Sequence, residues 1–300
     1  MERLLLITPA WNEAAHLERT IRAVAAQTRR PDLWLIVDDG SNDETPAILA
    51  RLAAELDFLE VLPGPPQRLD LSDDRLAIAA EAVAFNSALA TVDLDSYDFV
   101  GKLDADIELE PDYFQRLLAC FAVEPQLGVA GGTLLEDDGR GWRRTKVPDY
   151  HVRGALKLYR RVCLERIGGI EERLGWDTID ETYAPMHGYS TRSLPDLLAR
   201  HHRSVATRGG TLRGRARHGR CAYILGYPAW WVALRSPKVA AERPFGVSGL
   251  AFLYGYAHSA ISSEYRVEDD RFKRFVRKEL RSRVVPGLSV FQPMKADQIR

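Results

Sequence analysis

Residues 99–106 read FVGKLDAD, an apolar stretch that runs directly into two carboxylates, Asp104 and Asp106. A short apolar run bounded by polar residues is typical of a buried strand. Residues 3–8 and 33–37 form two more such runs, and after each of them apolar residues recur at helical spacing. Alternation of buried strands with helices predicts an α/β fold built on a mostly parallel sheet flanked by helices.

The polar segments that follow these strands are expected to meet at one edge of the sheet, because open parallel sheets bind ligands outside the carboxyl ends of their strands. They read PAWNE at 9–13, DDGSNDET at 38–45 and DAD at 104–106. Two carboxylates at one strand end can share a divalent cation. Such hard oxygen ligands suit Mg²⁺ or Mn²⁺, which also bind phosphate oxygens. The three segments together predict a site for a nucleotide diphosphate and its metal.

The composition excludes several other classes of protein. The chain has 300 residues, of which 46% are hydrophobic and 28% charged, as is ordinary for a globular protein with a sizeable core. Its 3 cysteines are far apart, which excludes a disulfide framework and favours a reducing compartment. The first residues carry no basic segment and no cleavage site, so we expect no signal peptide and a cytoplasmic protein.

Charge is divided unequally along the chain. Residues 1–150 carry 14 basic and 28 acidic side chains, whereas residues 151–300 carry 27 basic and 14 acidic ones. An acidic half suits metal binding, and a basic half suits binding of phosphates, nucleic acid or an anionic membrane. The alternative explanation is that the two oppositely charged halves contact each other across an interface. We expect no nucleic acid, because the acidic sheet edge would repel a phosphate backbone.

The last third of the chain differs in composition. Residues 221–234 and 244–263 are uncharged, yet neither segment is long and apolar enough to span a membrane, and a homodimer interface is an alternative use for them. Residues 271–283 carry 7 basic residues and 1 acid around Phe272, Phe275, Val276 and Leu280. This pattern predicts a basic amphipathic helix, which either lies on an anionic membrane or packs its apolar face on the domain.

The segments at 9–13, 37–45 and 104–106, in this order and spacing, resemble those of the family 2 glycosyltransferases. The resemblance implies the GT-A fold, a Rossmann-like sheet that binds a nucleotide sugar. It covers roughly residues 3–205. The catalytic domain would then span residues 1–205, with a nucleotide-sugar half at about 1–110 and an acceptor half at about 111–205. Residues 206–300 would then form a C-terminal helical extension that associates with a membrane or with a second copy.

The resemblance also implies roles for individual residues. The side chains expected to bind the nucleotide sugar are Pro9, Asn12, Glu13, Asp39, Asn86 and Asp104. Asp106 would ligate the metal, and one of the adjacent pair His201 and His202 would supply a further ligand.

The general base is open between two acidic residues. Family members often place a carboxylate pair about eleven residues before a glycine that ends the next helix. Gly188 is that glycine here, which points to Asp177, but Trp176 stands where the pair's first acid is usual. Asp180 lies one helical turn on and would share a face with Asp177, so it is the second candidate.

The implied reaction is an inverting sugar transfer that depends on Mn²⁺ or Mg²⁺. The donor would be a nucleotide-diphosphate sugar and the acceptor a hydroxyl of a glycan or lipid-linked glycan of a cell-envelope polysaccharide. The enzyme would work in the cytoplasm, as a peripheral protein at the inner face of the membrane. A nucleotidyltransferase is the alternative enzyme, although segment 9–13 lacks the glycine and lysine typical of its first loop. A non-enzymatic protein that binds nucleic acid or nucleotide is the other alternative.

Overall fold

The computed structural model describes residues 2–65, 75–76, 78–137, 139–202 and 210–284, without the side chains of 283 and 284. Its strands are β1 (Leu4–Ala10), β2 (Leu33–Asp38), β3 (Leu59–Pro63), β4 (Phe99–Leu103), β5 (Ile107–Leu109), β6 (Leu127–Asp137), β7 (Trp142–Arg144), β8 (Leu156–Arg160) and β9 (Ser190–His201). Its helices are α1 (Leu17–Ala25), α2 (Thr45–Ala53), α3 (Ala80–Leu89), α4 (Tyr113–Val123), α5 (Arg161–Arg166), α6 (Trp176–Met186), α7 (Thr211–Ile224), α8 (Ala229–Ala240), α9 (Val247–Ile261) and α10 (Asp270–Val284).

The strands form one sheet in the order β3-β2-β1-β4-β8-β6-β9-β5, with β7 paired to β6. The four strands β3, β2, β1 and β4 are parallel, as the sequence predicts. Antiparallel pairs enter beyond them, where β8 runs between β4 and β6. The α/β fold class predicted from the alternation of strands and helices is therefore confirmed.

The core lies on both faces of the sheet. Along β1, Leu4 and Leu6 belong to the cluster on one face, whereas Leu5 and Ile7 belong to the cluster on the other. Because successive side chains of a strand point to opposite faces, a strand covered on both sides is apolar at nearly every position. This double burial fixes the central strands firmly, and with them the polar residues at their carboxyl ends.

Two predicted element bounds differ from the structure. The first strand does not stop before Pro9 but continues to Ala10, with Pro9 opposite Val37 on β2. Pairing with β4 has already ended at Ile7, so the missing N–H of the proline interrupts no bond on that side. The sequence also predicts one long helix from Arg75 to Leu89, but α3 begins only at Ala80. Residues 66–74 lie outside the described part of the chain.

The C-terminal extension is helical, but its basic helix does not offer an apolar face to a membrane. Phe272, Val276 and Leu280 of α10 are all buried, and the ring of Phe272 lies 5.0 Å from that of Tyr183 on α6. The structure therefore corrects the expectation of a membrane-bound α10 and bears out the alternative of packing on the domain. Across the described ranges, we find no helix of sufficient length and apolarity to cross a bilayer. The predicted domain boundary near residue 205 falls within 203–209, outside the described residues.

Candidate active site

Three strand ends converge on one cleft of about 170 Å³. Of the side chains predicted from the sequence, the structure places five together on its wall: Pro9, Glu13, Asp39, Asp104 and Asp106. Sequence reasoning missed two charged residues that line the same cleft, Arg75 and Glu81. Two further lining residues, Arg213 and Arg217, belong to residues 203–220, where six arginines and no acid predict a partner for either the departing diphosphate or lipid phosphates. The two last arginines stand one helical turn apart on α7, so a helix of the C-terminal extension supplies positive charge to an acidic sheet edge.

Backbone hydrogen bonds tie the first two motif segments to each other. Asn12, whose φ of 54° is left-handed, donates its N–H to Ser41 Oγ at 3.0 Å. The Asn12 side-chain oxygen accepts the N–H of Asn42 at 2.9 Å. The N–H of Glu13 reaches Thr45 Oγ1 at 2.8 Å. Asn12 thus connects the two loops by hydrogen bonds. It is not among the residues that line the cleft, and its role in binding a nucleotide sugar stays a prediction.

Asp39 lies in an aromatic and cationic corner of the cleft. Its carboxylate forms an ion pair with the guanidinium of Arg75. The same guanidinium lies 4.6 Å from the centre of the Trp11 ring, within the range of a cation–π contact. A flat ring beside a carboxylate provides both a stacking surface and a hydrogen-bond acceptor, which together suit a nucleobase.

The structure selects one histidine of the adjacent pair. Ligand atoms of Asp104, Asp106 and His201 all lie within 4.8 Å of one another. Strand β5 pairs with β9 so that Ile107 is opposite His201, which brings the imidazole to Asp106. Burial by itself would lower the pKa of His201, but bonds to Asp106 and Glu136 raise it to about 9. Two carboxylates and an imidazole form a donor set that fits Mn²⁺ or Mg²⁺.

His202 points elsewhere. Its Nε2 lies 2.8 Å from Glu108 and its Nδ1 lies 2.9 Å from the guanidinium of Arg19. Because neighbouring residues of a strand face opposite sides, His201 and His202 cannot both join the cluster. The sequence could not tell which of them would, since the choice depends on the register of β5 against β9.

A buried lysine supports the carboxylate of Asp104. Lys102 is 2% exposed within β4, its Nζ pairs with Asp104, and it lies 5.2 Å from the Trp176 ring. Burial alone would lower the pKa of Lys102, but Asp104 and Glu81 raise it. For the carboxyl group of Glu81, burial has the opposite effect and raises the pKa, and the negative charges of Asp104 and Asp177 raise it further. The sequence signal for Lys102 is a charged residue inside an otherwise apolar strand. A lysine is almost never fully buried unless it is paired with an opposite charge, so its position indicates a nearby carboxylate.

Asp180 is buried in an ion pair with a lysine. Its carboxylate is 2% exposed, lies 2.9 Å from Lys157 Nζ and accepts the hydroxyl of Tyr159. Burial raises its pKa to about 6, against the opposing effect of Lys157. An acceptor hydroxyl cannot reach a side chain enclosed in this way. The second candidate base is therefore a buried ion-pair partner, and this placement speaks against a catalytic role.

Asp177 remains the accessible acid of α6. Asp177 is half-buried in the first turn of the helix. The backbone of Gly154 packs closely against it, since a Cβ added to Gly154 would lie only 3.1 Å from the Cβ of Asp177. The preceding residue, Trp176, donates its ring N–H to Glu81 of the cleft wall at 3.2 Å. The start of α6 is thus fixed beside the cleft, although Asp177 is not itself among the lining residues.

Asn86 lies away from the cleft. Its side-chain N–H groups reach the carbonyl of Ile170 at 2.8 Å and the carboxylate of Glu172 at 3.2 Å. This contact fastens α3 to the loop before α6. The placement gives no support to the implied role of Asn86 in binding the nucleotide sugar, which Glu81 on the same helix is better placed to fill.

Comparison with known proteins agrees with this geometry. Residues 5–169 match the family model described as glycosyl transferase family 2, which covers more than half of the chain. The chain belongs to this family and is a glycosyltransferase. The alternatives of a nucleotidyltransferase or a non-enzymatic binding protein are set aside.

Curated relatives match less than half of the chain. Poly-beta-1,6-N-acetyl-D-glucosamine synthase of Staphylococcus aureus (strain COL) is 27% identical over 132 residues, which are 44% of this chain and 28% of that protein. Protein CgeD of Bacillus subtilis (strain 168) is 29% identical over 129 residues, or 42% and 28% of the two chains. The chain therefore matches little more than a quarter of the length of either relative.

Solved structures share the fold. The mannosyltransferase PcManGT of Pyrobaculum calidifontis, in complex with GDP-Man and Mn²⁺, superposes with a TM-score of 0.54 at 20% identity, covering 87% of this chain and 73% of that one. TarS 1–349 of S. aureus in complex with UDP gives a TM-score of 0.52 at 16% identity, covering 94% and 77%. The GT-A fold expected from the sequence is thus confirmed.

Proposed function

We propose that the chain transfers a sugar, with inversion, from a nucleotide-diphosphate donor to an acceptor hydroxyl, and that Asp104, Asp106 and His201 hold Mn²⁺ or Mg²⁺. The observation that carries the proposal is the convergence of these three ligands, within 4.8 Å, in a cleft at the strand ends. The solved neighbours, described with GDP-Man and Mn²⁺ or with UDP, support a donor of this class.

Different residues of the cleft would bind different parts of the donor. Asp39 would accept a hydrogen bond from the base, beside the ring of Trp11. The guanidinium groups of Arg213 and Arg217 would pair with phosphate oxygens, for which their forked geometry is suited. Lys102 holds Asp104 in place from inside the sheet. When bound, the metal would supply Lewis-acid stabilisation of the negative charge on the departing diphosphate.

Asp177 is the residue that we assign as general base. Its carboxylate takes the proton of the acceptor hydroxyl while that oxygen forms a bond to the anomeric carbon of the sugar. The bond from this carbon to the diphosphate oxygen breaks on the opposite face, which inverts the configuration. The electron pair of the broken bond leaves with the nucleotide diphosphate, near the two arginines of α7.

We infer that the acceptor is a glycan or lipid-linked glycan of a cell-envelope polysaccharide and that the enzyme works peripherally at the cytoplasmic face of a membrane. The curated synthase, named for a polymer of N-acetylglucosamine, supports a polysaccharide acceptor. The basic second half of the chain supports a position at an anionic surface.

Nucleotide binding tests the donor site directly. UDP, GDP, dTDP and CMP are each added, with and without Mn²⁺, to the wild type, to Asp106→Ala and to the matched control Asp57→Ala. Asp57 is an exposed carboxylate at the opposite, amino-terminal end of β3. A ligand at about 100 times its Kd stabilises a protein by roughly 2.7 kcal/mol, which a thermal shift resolves.

We expect one nucleotide diphosphate to raise the melting temperature of the wild type and of the Asp57 variant in the presence of Mn²⁺. The Asp106 variant should show no metal-dependent increase. An equal shift in all three proteins would contradict the assigned metal ligand. No shift with any nucleotide would contradict the donor class.

A further inference from the structure

Helices α8 and α9 leave a large apolar surface open to solvent. We call it the apolar face and define it by side chains that are between 46% and 86% exposed: Trp230, Leu234, Phe245, Leu250, Tyr254 and Ile261. Single exposed apolar residues are ordinary, but a concentration of aromatic and aliphatic side chains on two adjacent helices and the segment between them marks an interaction surface. It lies on segments outside the donor cleft.

The opposite side of the same helices is closely packed. A Cβ built on Gly249 of α9 would lie 2.7 Å from Ala240 Cβ on α8. A Cβ on Gly255 would lie 1.9 Å from the carbonyl oxygen of Ala216 on α7. Backbones that approach this closely leave no room for α9 to turn its exposed side inward. The apolar face is therefore a fixed property of the folded chain.

The segment that carries the apolar face is positively charged. Between residues 221 and 263 the basic residues are Arg235, Lys238 and Arg243, and the one acid, Glu242, forms an ion pair with Arg215. The guanidinium of Arg235 lies 5.2 Å from the Trp231 ring and that of Arg243 lies 5.9 Å from the Phe245 ring. Because Phe245 belongs to the apolar face and Arg235 is an exposed neighbour of Leu234 in the sequence, cationic groups accompany the apolar side chains.

We propose that the apolar face of α8 and α9 docks the enzyme on an anionic lipid membrane. Aromatic and aliphatic side chains would enter the boundary between headgroups and acyl chains, and the three basic residues would face lipid phosphates. A second copy fits less well, because a symmetric contact would bring these positive charges against themselves. The proposal extends the proposed function by naming the surface that places the enzyme at a membrane.

Vesicle flotation tests the surface with the full chain. Vesicles of phosphatidylcholine with about 30% phosphatidylglycerol are compared with pure phosphatidylcholine, at about 0.05 M and about 0.5 M NaCl. The test variant is Leu234→Glu/Leu250→Glu. The matched control is Val123→Glu, because Val123 is also an exposed aliphatic residue, 82% accessible on α4. A third variant, Arg274→Gln/Arg277→Gln, probes the exposed basic side of α10.

We expect the wild type and Val123→Glu to float with the anionic vesicles at low salt and to dissociate from them at high salt. The double glutamate variant should bind at least about tenfold more weakly. Its melting temperature should match that of the wild type, because both leucines are exposed. The α10 variant should keep the greater part of its binding.

Three results would overturn the proposal. The wild type fails to bind anionic vesicles, or only the α10 variant loses binding, or sedimentation shows a lipid-independent dimer that the double glutamate variant abolishes. The nucleotide-induced thermal shift is measured on the same proteins. Vesicle binding without a nucleotide-induced shift would refute the donor site but support the membrane surface. A nucleotide-induced shift without vesicle binding would refute the membrane surface but support the donor site.

Discussion

His201 Nε2 lies 3.4 Å from Asp106 Oδ1, although Asp106 directly precedes β5 and His201 ends β9, far apart in the sequence. The antiparallel pairing of β5 with β9 produces this contact, since it sets Ile107 opposite His201. The short strand β5 that follows the Asp-Ala-Asp segment thus holds β9 where the imidazole of His201 meets the carboxylates.

The first prediction separates the two adjacent histidines. His201→Gln should weaken Mn²⁺ binding by at least about tenfold, because it removes one of three protein ligands. His202→Gln, the matched control, should bind Mn²⁺ as the wild type does. Isothermal titration with Mn²⁺ measures both affinities. Equal losses in the two variants would contradict the assignment of His201.

The second prediction concerns the general base. Asp177→Asn should lower the rate of sugar transfer by about 10²–10⁴-fold, the usual contribution of a positioned base. The nucleotide-induced thermal shift should be unchanged, because the donor pocket keeps its lining residues. Release of nucleotide diphosphate in the presence of acceptor measures the rate. A variant that transfers sugar at the rate of the wild type would refute the role of Asp177.

The third prediction addresses Asp180. Asp180→Asn should reduce the free energy of unfolding by about 1.5–3 kcal/mol, because buried Lys157 would lose its closest carboxylate and keep only that of Glu181, 3.1 Å away. The control Asp95→Asn breaks an ion pair with Arg161 at a carboxylate that is 84% exposed, and it should cost less than about 1 kcal/mol. Urea unfolding compares the two variants. Full stability combined with lost activity in Asp180→Asn would instead make Asp180 catalytic.

The fourth prediction concerns the crossing of α7 and α9. Gly255→Ala would place a Cβ 1.9 Å from the carbonyl oxygen of Ala216, so it should destabilise the protein by about 1–3 kcal/mol. Gly214→Ala, on α7, meets nothing closer than 3.9 Å and should stabilise the helix by up to about 1 kcal/mol. Thermal unfolding of the two variants should therefore shift in opposite directions. A shift in the same direction would contradict the close packing.

The fifth prediction is a pH dependence of stability. Burial alone would lower the pKa of His151, but the Glu181 carboxylate, 2.7 Å from its Nδ1, raises it. A raised histidine pKa stabilises the fold fully below the unfolded value of about 6.5, and this contribution disappears as pH rises through the folded value. The stability advantage of the wild type over His151→Gln should therefore shrink as pH rises above about 6. Urea unfolding at a series of pH values measures it, and an advantage that grows with pH would contradict the ion pair.

Much of the donor site was readable from the sequence because its parts are local. Apolar runs that end in Pro9, Asp39 and Asp104 identify strand ends, and parallel strands bring their ends to one edge. The side chains that complete the cleft come from elsewhere. Nothing in the sequence around Glu81 indicates a cleft residue. The arginine-rich stretch that contains Arg217 indicates a phosphate partner, but it does not fix which of its side chains reach the cleft, because the orientation of α7 depends on packing.

The sequence by itself determined the alternation of strands and helices, the family and the acidic edge of the sheet, because periodicity and strand-end motifs are encoded within short segments. Only the tertiary structure decided that His201 and not His202 meets Asp106, that Asp180 is enclosed with Lys157, and that α10 buries its apolar side. Each of these outcomes depends on strand register or helix packing between residues distant in the chain. Those relationships arise from burial of the whole core, and no local pattern specifies them.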